Sequence, residues 1–402
     1  MTDNPLAAIE PRALAARVRE AREARGWTQQ ELGDRLGMAR TTIVAIEKAE
    51  RRLKPRELIE LARLLGRNVS ELLQRSSPPE GFSVQLRSAL PVSAPVDYDL
   101  VPYIEEFQHR CEDYLRLEEI CHVPLRRRYP PEYDIQGVDP DQAAEDLAAA
   151  ERSRLDLGEG PVLSLRDLLE TEVGLRVFQL DLPSKIAGMF AFAASLGGCI
   201  AINLRHPVER RRMSLAHEYG HFLIARFRFE ITFDGRYERR PAAERFAEAF
   251  ARAFLMPASG VRRRFLEHER ERPQGITYGD LCRLAHSYLV SLEAITRRLE
   301  ELRLIPLATW ERLRQERFRV YEAKQILGLE SAAHTDDAPF SPRYIALAVE
   351  AWQQGELSEG QLAHILRVDR LGARELALAA ADGSDRGALV NFGAPLFSSG
   401  SR

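Results

Sequence analysis

Cysteine is scarce. Four occur in 402 residues, Cys111, Cys121, Cys199 and Cys282, and they are scattered without metal-ligand spacing. That excludes a disulfide-stapled scaffold and a cysteine-built zinc site, and it suits a reducing compartment with the four as small buried side chains. No apolar run reaches the roughly 18 residues that a membrane helix needs, so no membrane partner is expected. The start, Met1-Thr2-Asp3-Asn4-Pro5, lacks a basic n-region and an apolar core. No signal peptide is read there, and a cytoplasmic location is expected. An excess of one charge is also missing: the net charge is −3, so the global balance says little about partners and local charge must be read instead. What remains is 45% hydrophobic and 29% charged, the composition of a soluble globular protein, at a length that predicts two or three domains.

The stretch around which the chain is organised is Leu215-Ala216-His217-Glu218-Tyr219-Gly220-His221-Phe222, which reads His-Glu-x-x-His. Histidines at i and i+4 lie one above the other on one helix face, so both imidazoles can share one Zn²⁺. Glu218 projects beside them and is placed to take a proton from water activated there. A catalytic zinc takes three protein ligands and keeps a position open. The third is sought in Ala243-Glu244-Arg245-Phe246-Ala247-Glu248-Ala249-Phe250-Ala251, helical by its alanine content and by its recurring Phe246, Ala247, Phe250 and Phe254. Glu244 and Glu248 are i and i+4 on it, so either could point at the metal.

Residues 12–75 read as a compact helical unit. Thr28 with Glu31 forms a capping box that opens a helix, Gly37 ends it, and Arg40 to Glu47 is a short helix after a tight turn. That order is helix-turn-helix geometry. An exposed Arg40 at the start of the second helix suits bidentate contact with guanine edges. Arg51, Arg52, Lys54 and Arg56 follow and suit a phosphate backbone. The segment holds 15 basic and 9 acidic side chains, a positive module in an acidic chain. So small a module offers few phosphate contacts, so binding to a double-stranded DNA operator is expected to need a homodimer.

Ser76-Ser77-Pro78-Pro79-Glu80-Gly81 is a linker by composition, and residues 82–96 look extended. Leu100, Ile104, Phe107, Cys111 and Tyr114 recur at steps of four and three, a short heptad seam that either pairs two subunits or packs on its own domain. Arg126 to Pro131 reads as a second boundary. Asp139-Pro140 caps a helix to about Leu157, and a further helix lies between Pro161 and Glu172. Leu175 to Leu180, Ile186 to Ala194 and Cys199 to Leu204 read as strands, the last two joined by a hairpin turn at Ser195 to Gly198. By analogy with metallopeptidases that add a substrate strand to a sheet edge, Cys199 to Asn203 is expected near the cleft. Helices are expected at Val261 to Glu269, Tyr278 to Leu289, Leu292 to Leu302, Trp310 to Leu327, Tyr344 to Gln354 and Glu359 to Leu366. Ser331 to Phe340 reads as a loop, and fraying is expected from Asp382. The fold class is α+β, mainly α: residues 12–75 a helix-turn-helix domain, 76–135 a linker and dimerisation helix, 136–302 a zincin-like domain with a small sheet, and 303–402 a mainly helical region without assigned chemistry.

Two resemblances sharpen this reading. Residues Trp27 to Pro55, "WTQQELGDRLGMARTTIVAIEKAERRLKP", are similar to the XRE/Cro repressor family. That resemblance places Arg40, Thr41, Thr42 and Ala45 on the major-groove side and Gln29 at a phosphate. His217-Glu218-x-x-His221, followed by Phe254-Leu255-Met256-Pro257, resembles the ImmA/IrrE zinc metallopeptidases. Ile200-Ala201-Ile202-Asn203, Arg211 to His217, Val290 to Ala294 and Arg298-Leu299 also resemble that family. The resemblance implies Glu244 as third zinc ligand with His217 and His221, Glu218 as catalytic acid–base, and a regulatory protein, such as a repressor cut in a stress or phage response, as substrate. It places Arg297 where some members carry an oxyanion-stabilising tyrosine, which leaves Arg297, His286 and Tyr288 as candidates. The competing reading is a ligand-responsive transcription factor whose peptidase-like domain binds metal or senses without cleaving.

Overall fold

The computed structural model describes residues 11–51, 53–65, 69, 100–193, 196–226, 230–233, 241–271, 275–329 and 339–385. The linker at 76–81, the extended run at 82–96, Arg52 and most of the loop at 331–340 lie outside them. The chain divides into two units, Met1–Glu80 and Gly81–Arg402.

In the first unit, α1 (Pro11–Ala24), α2 (Gln29–Leu36), α3 (Arg40–Glu47) and α4 (Pro55–Leu65) surround a small core of Val18, Leu32, Ile43, Ile46, Leu58 and Leu61. The Thr28–Glu31 capping box is formed, and Gly37 closes α2 at φ 65°. Gly33 explains how tight the turn is: a Cβ there would meet the Met38 carbonyl oxygen at 2.7 Å.

The second unit is built on a four-stranded sheet of β1 (Arg176–Leu180), β2 (Ile186–Ala193), β3 (Gly197–Asn203) and β4 (Glu230–Phe233), in the order β1-β3-β2-β4. β1 runs parallel to β3, with Arg176 opposite Cys199, while β2 is antiparallel to both β3 and β4. This corrects one expectation. β3 is an interior strand, paired on both sides and buried throughout, so Cys199 to Asn203 cannot accept a further strand; the edges are β1 and β4.

Side chains alternate between the two faces of the sheet. Val177, Phe190, Ile200 and Ile202 join one core with α6 (Pro140–Arg154), α7 (Leu165–Leu168, continued as a π-helical turn Leu169–Val173), α8 (Val208–Ala225) and α9 (Ala242–Leu255). α10 (Ala258–Glu271), α11 (Tyr278–Tyr288), α12 (Leu292–Glu301), α13 (Thr309–Gln315) and α14 (Val320–Ile326) extend that side, and the single helix expected over Trp310 to Leu327 is broken at Arg317, where φ is 51°. Phe178, Leu180, Met189 and Ala201 face the other way. There they pack on α5 (Val101–Ile120), α15 (Pro342–Gln353), α16 (Glu359–Ile365) and α17 (Arg370–Asp385). Leu100, Ile104, Phe107, Cys111 and Tyr114 are all buried in this second core, so the heptad seam is consumed within its own chain rather than left for a partner subunit. The segment after α5 is no boundary: Arg128 N–H donates to the Val173 carbonyl, Tyr133 N–H to that of Leu223, and Arg226 to that of Pro130. Asp382 to Asp385 close α17, and the rest of the run expected to fray, 386–402, lies outside the described residues. No helix of the described residues is long and apolar enough to cross a membrane.

Candidate metal centre and nucleic-acid interface

Helix α8 starts after Pro207, with Glu209 in its first turn where a carboxylate suits the helix dipole. Its Leu215, Ala216, Tyr219, Phe222 and Leu223 bury one face in the core, and this fixes the rotation that sends His217 and His221 to the other. Behind the motif, Tyr219 donates its hydroxyl proton to Glu151, while Arg154 donates to Tyr219 at 3.1 Å and to Glu151 at 2.7 Å. Burial, and then the Glu151 carboxylate, push the Tyr219 phenol well above its ordinary pKa, so it stays a donor. Helix α9 lies against α8 with Phe250 and Phe254 edge-on to Tyr219, ring centroids 5.8 and 5.9 Å away. The approach is close because residue 220 is glycine: a Cβ there would meet Ala247 Cα at 3.1 Å. α9 brings Glu244, in its first turn, to the two histidines.

The two imidazole nitrogens and the two Glu244 carboxylate oxygens lie close together. His217 Nε2 and His221 Nε2 are 3.0 Å apart, His217 Nε2 lies 3.5 Å from Glu244 Oε2, and His221 Nε2 lies 3.6 Å from Glu244 Oε1. Ligands at 2.0–2.2 Å from a tetrahedral ion stand about 3.3–3.6 Å apart, so the two histidine–glutamate separations match one zinc, while the two histidines stand slightly closer than that. Among the described residues, His217, His221 and Glu244 are the group of three or more metal-ligating side chains that converge. Glu248, left open from spacing alone, is not in it. Glu218 is 0% exposed, between the ligands in sequence and against β2.

The three oxyanion candidates have other neighbours. Arg297 pairs with Glu293 at 2.9 Å and Glu311 at 3.7 Å; His286 lines a separate cavity with Glu209, Arg212 and Lys324; Tyr288 lies under the Arg264 guanidinium at 5.6 Å. Sequence reasoning missed Glu151, for which no local signal exists, since it meets Tyr219 across 68 positions.

On the first unit, Arg40 and Thr41 are exposed on α3, with Thr42 and Ala45 half-buried behind them. Gln29 departs from expectation: its side-chain amide donates to Glu47 at 2.8 Å, a carboxylate also held by Arg22. Only the helix-start backbone of Gln29 remains suited to a phosphate. Arg51 is clasped by Glu57 through bonds of 3.1 and 2.7 Å, so a phosphate must compete with that carboxylate. Lys54 is exposed, and its backbone N–H donates to Glu57. Arg40 is an exposed cation at the first position of α3. Arg40→Ala is expected to weaken the preferred duplex by about 1–3 kcal/mol and relax one position of its sequence. Selection from a random duplex pool measures this, and an unchanged motif at unchanged affinity overturns the assignment of α3.

Comparison with known proteins agrees with these two parts. Residues 18–72 match the helix-turn-helix family and residues 170–300 match the IrrE N-terminal-like domain, a peptidase family. No curated protein matches the chain. The crystal structure of ComR from Streptococcus suis aligns with 94% of this chain and 91% of that chain at 13% identity, with a TM-score of 0.16, too low to bear on the fold.

Proposed function

For a chain that joins a helix-turn-helix domain to an IrrE N-terminal-like, peptidase-family domain, we propose a DNA-binding transcriptional regulator that is also a zinc-dependent endopeptidase. Its substrate is a regulatory protein, such as a repressor removed in a stress or phage response, and it acts in the cytoplasm, as a homodimer on operator DNA. The observation that carries the reading is the convergence of His217, His221 and Glu244 beside a wholly buried Glu218. A purely structural zinc site closes its fourth position and needs no neighbouring base.

His217, His221 and Glu244 would hold the metal. When bound, it supplies a Lewis acid that polarises the scissile carbonyl and makes water more acidic. Glu218 takes the proton of the attacking water and returns it to the departing amine nitrogen, a general base turned general acid. Its burial shields that proton from bulk solvent and strengthens its electrostatic coupling to the ligands. With β3 interior, an extended substrate segment that joins the sheet has β4 to pair with, the edge strand beside β2.

The test is metal removal. Full-length protein is stripped with a chelator, half is reloaded with stoichiometric zinc, and both are incubated with host lysate while new protein termini are mapped by mass spectrometry. New termini in the reloaded sample alone are expected. Identical termini in both samples sink the peptidase reading and favour a metal-binding sensor.

A further inference from the structure

Gly188 lies in β2, opposite Ile202 of β3 and Thr232 of β4. Its φ lies outside the left-handed region, so the backbone conformation does not demand glycine. Glycine inside a strand weakens it and often marks a close approach by another group. Here that group is Glu218. A Cβ built on Gly188 falls 2.7 Å from Glu218 Oε1 and 3.2 Å from Glu218 Cγ, with the Ala201 carbonyl oxygen at 3.1 Å. Gly198, in the neighbouring strand, has its missing side chain covered by apolar Leu175 and Phe222, whereas the space at Gly188 holds a carboxylate. The β2–β4 register is irregular between Ile186 and Gly188, so the strand departs from regular pairing beside this contact.

Exposure runs the same way. The Glu244 side chain is 17% exposed and that of His217 9%, while Glu218 is sealed against the sheet. Glu244 is thus the most exposed of the three converging side chains, and Glu218 beside them is fully buried.

The geometry points to Gly188 as a positioning residue: its missing side chain is the slot that holds the Glu218 carboxylate beside the His217–His221–Glu244 cluster. This rests on the reading of Glu218 as the acid–base of the site. Any side chain at position 188 must drive the carboxylate out of the slot or bend β2 away from α8, so the two residues are coupled energetically as well as spatially.

A double-mutant cycle on the zinc-loaded full chain reads that coupling without any substrate. Gly188→Ala is expected to lower Tm by about 5 °C or more in the wild-type background, and by less than about 2 °C beside Glu218→Ala, where the obstructing carboxylate is gone. A second readout is one that strand packing alone does not move. In cobalt-substituted protein at one fixed pH, the visible absorption bands should change in Gly188→Ala, because the displaced carboxylate alters the surroundings of the ligands. Equal Tm losses in both backgrounds, including failure to fold in both, overturn the proposal and assign Gly188 to the Ala201 carbonyl instead. Cobalt absorption bands identical to those of wild type also overturn it. Neither readout depends on proteolysis, so an inactive wild type would count against the endopeptidase alone.

Discussion

Glu218→Gln is expected to keep one zinc per chain and to lose peptide hydrolysis by about 10²–10⁴-fold, the usual worth of a placed acid–base group. Glutamine has nearly the shape of glutamate, so it fills the same slot against β2. It cannot accept the proton of the attacking water. Glu218 is not among the three converging ligands, so its neutralisation leaves the donor set whole. His217→Ala makes the complementary change. It removes one of three protein ligands and leaves Glu218 in place, and metal affinity should fall by more than about 100-fold, since losing even an outer partner costs 10–100-fold. Chelator competition and metal analysis measure the second effect, and the rate at which new termini appear measures the first. Wild-type cleavage by Glu218→Gln would remove Glu218 from the chemistry. Zinc retained by His217→Ala through dialysis would place the metal elsewhere. Metal bound equally by wild type and Glu218→Gln, with no cleavage by either, is the signature of the sensing alternative.

How much of this was legible in the sequence depends on the range of the cause. His217, Glu218 and His221 lie within two helical turns, and helical period alone puts the histidines on one face. Thr28, Gly37 and Asp139 act on backbone groups three or four positions away, and each behaves as read. Glu244 was legible as one of two alternatives, because spacing along α9 could not say which turn meets α8; in the fold Glu244 is the one that lies beside the two histidines. Strand order was not legible. β3 looks no different from an edge strand in its own residues, and β4, four residues long, has too little pattern to declare itself. The same limit applies to the second face of the sheet. The apolar periods of α5 and α15 were visible, but that Tyr114 packs edge-on against Phe178 and Tyr344, 5.9 and 5.0 Å away, is a long-range fact. The heptad steps of α5 therefore admitted a dimer seam as readily as the sheet they in fact cover.

The junction between that sheet and the C-terminal helices carries a strong expected dependence on pH. Glu170 sits in the π turn before β1, is 1% exposed, and accepts the Val177 N–H at 3.3 Å. Burial lifts its pKa from 4.5 to about 7, outweighing the Ser341 hydroxyl, Arg166, the Val177 amide and Arg343, which all favour the carboxylate. Ser341 also caps α15, accepting the Tyr344 N–H at 3.2 Å, and Arg343 donates to Glu118 at 2.8 Å, so Glu170 lies where α15 is anchored. The sign follows from proton binding. The folded chain holds the Glu170 proton more tightly than the unfolded chain, so its contribution is most favourable below the unfolded pKa and is lost as pH rises through the folded one. A rise from 4.5 to about 7, at about 1.4 kcal/mol per pH unit, amounts to about 3 kcal/mol lost between those limits. Glu170→Gln stays neutral, keeps an oxygen for Val177 and can donate to Ser341. It should therefore raise Tm by about 5 °C or more at pH 8 and change it by less than about 2 °C at pH 5. Thermal unfolding of both proteins from pH 5 to 8 measures this, and parallel curves across the range would show that Glu170 is ionised in the fold as readily as outside it. The difference between the curves isolates Glu170, because every other titrating group is common to both.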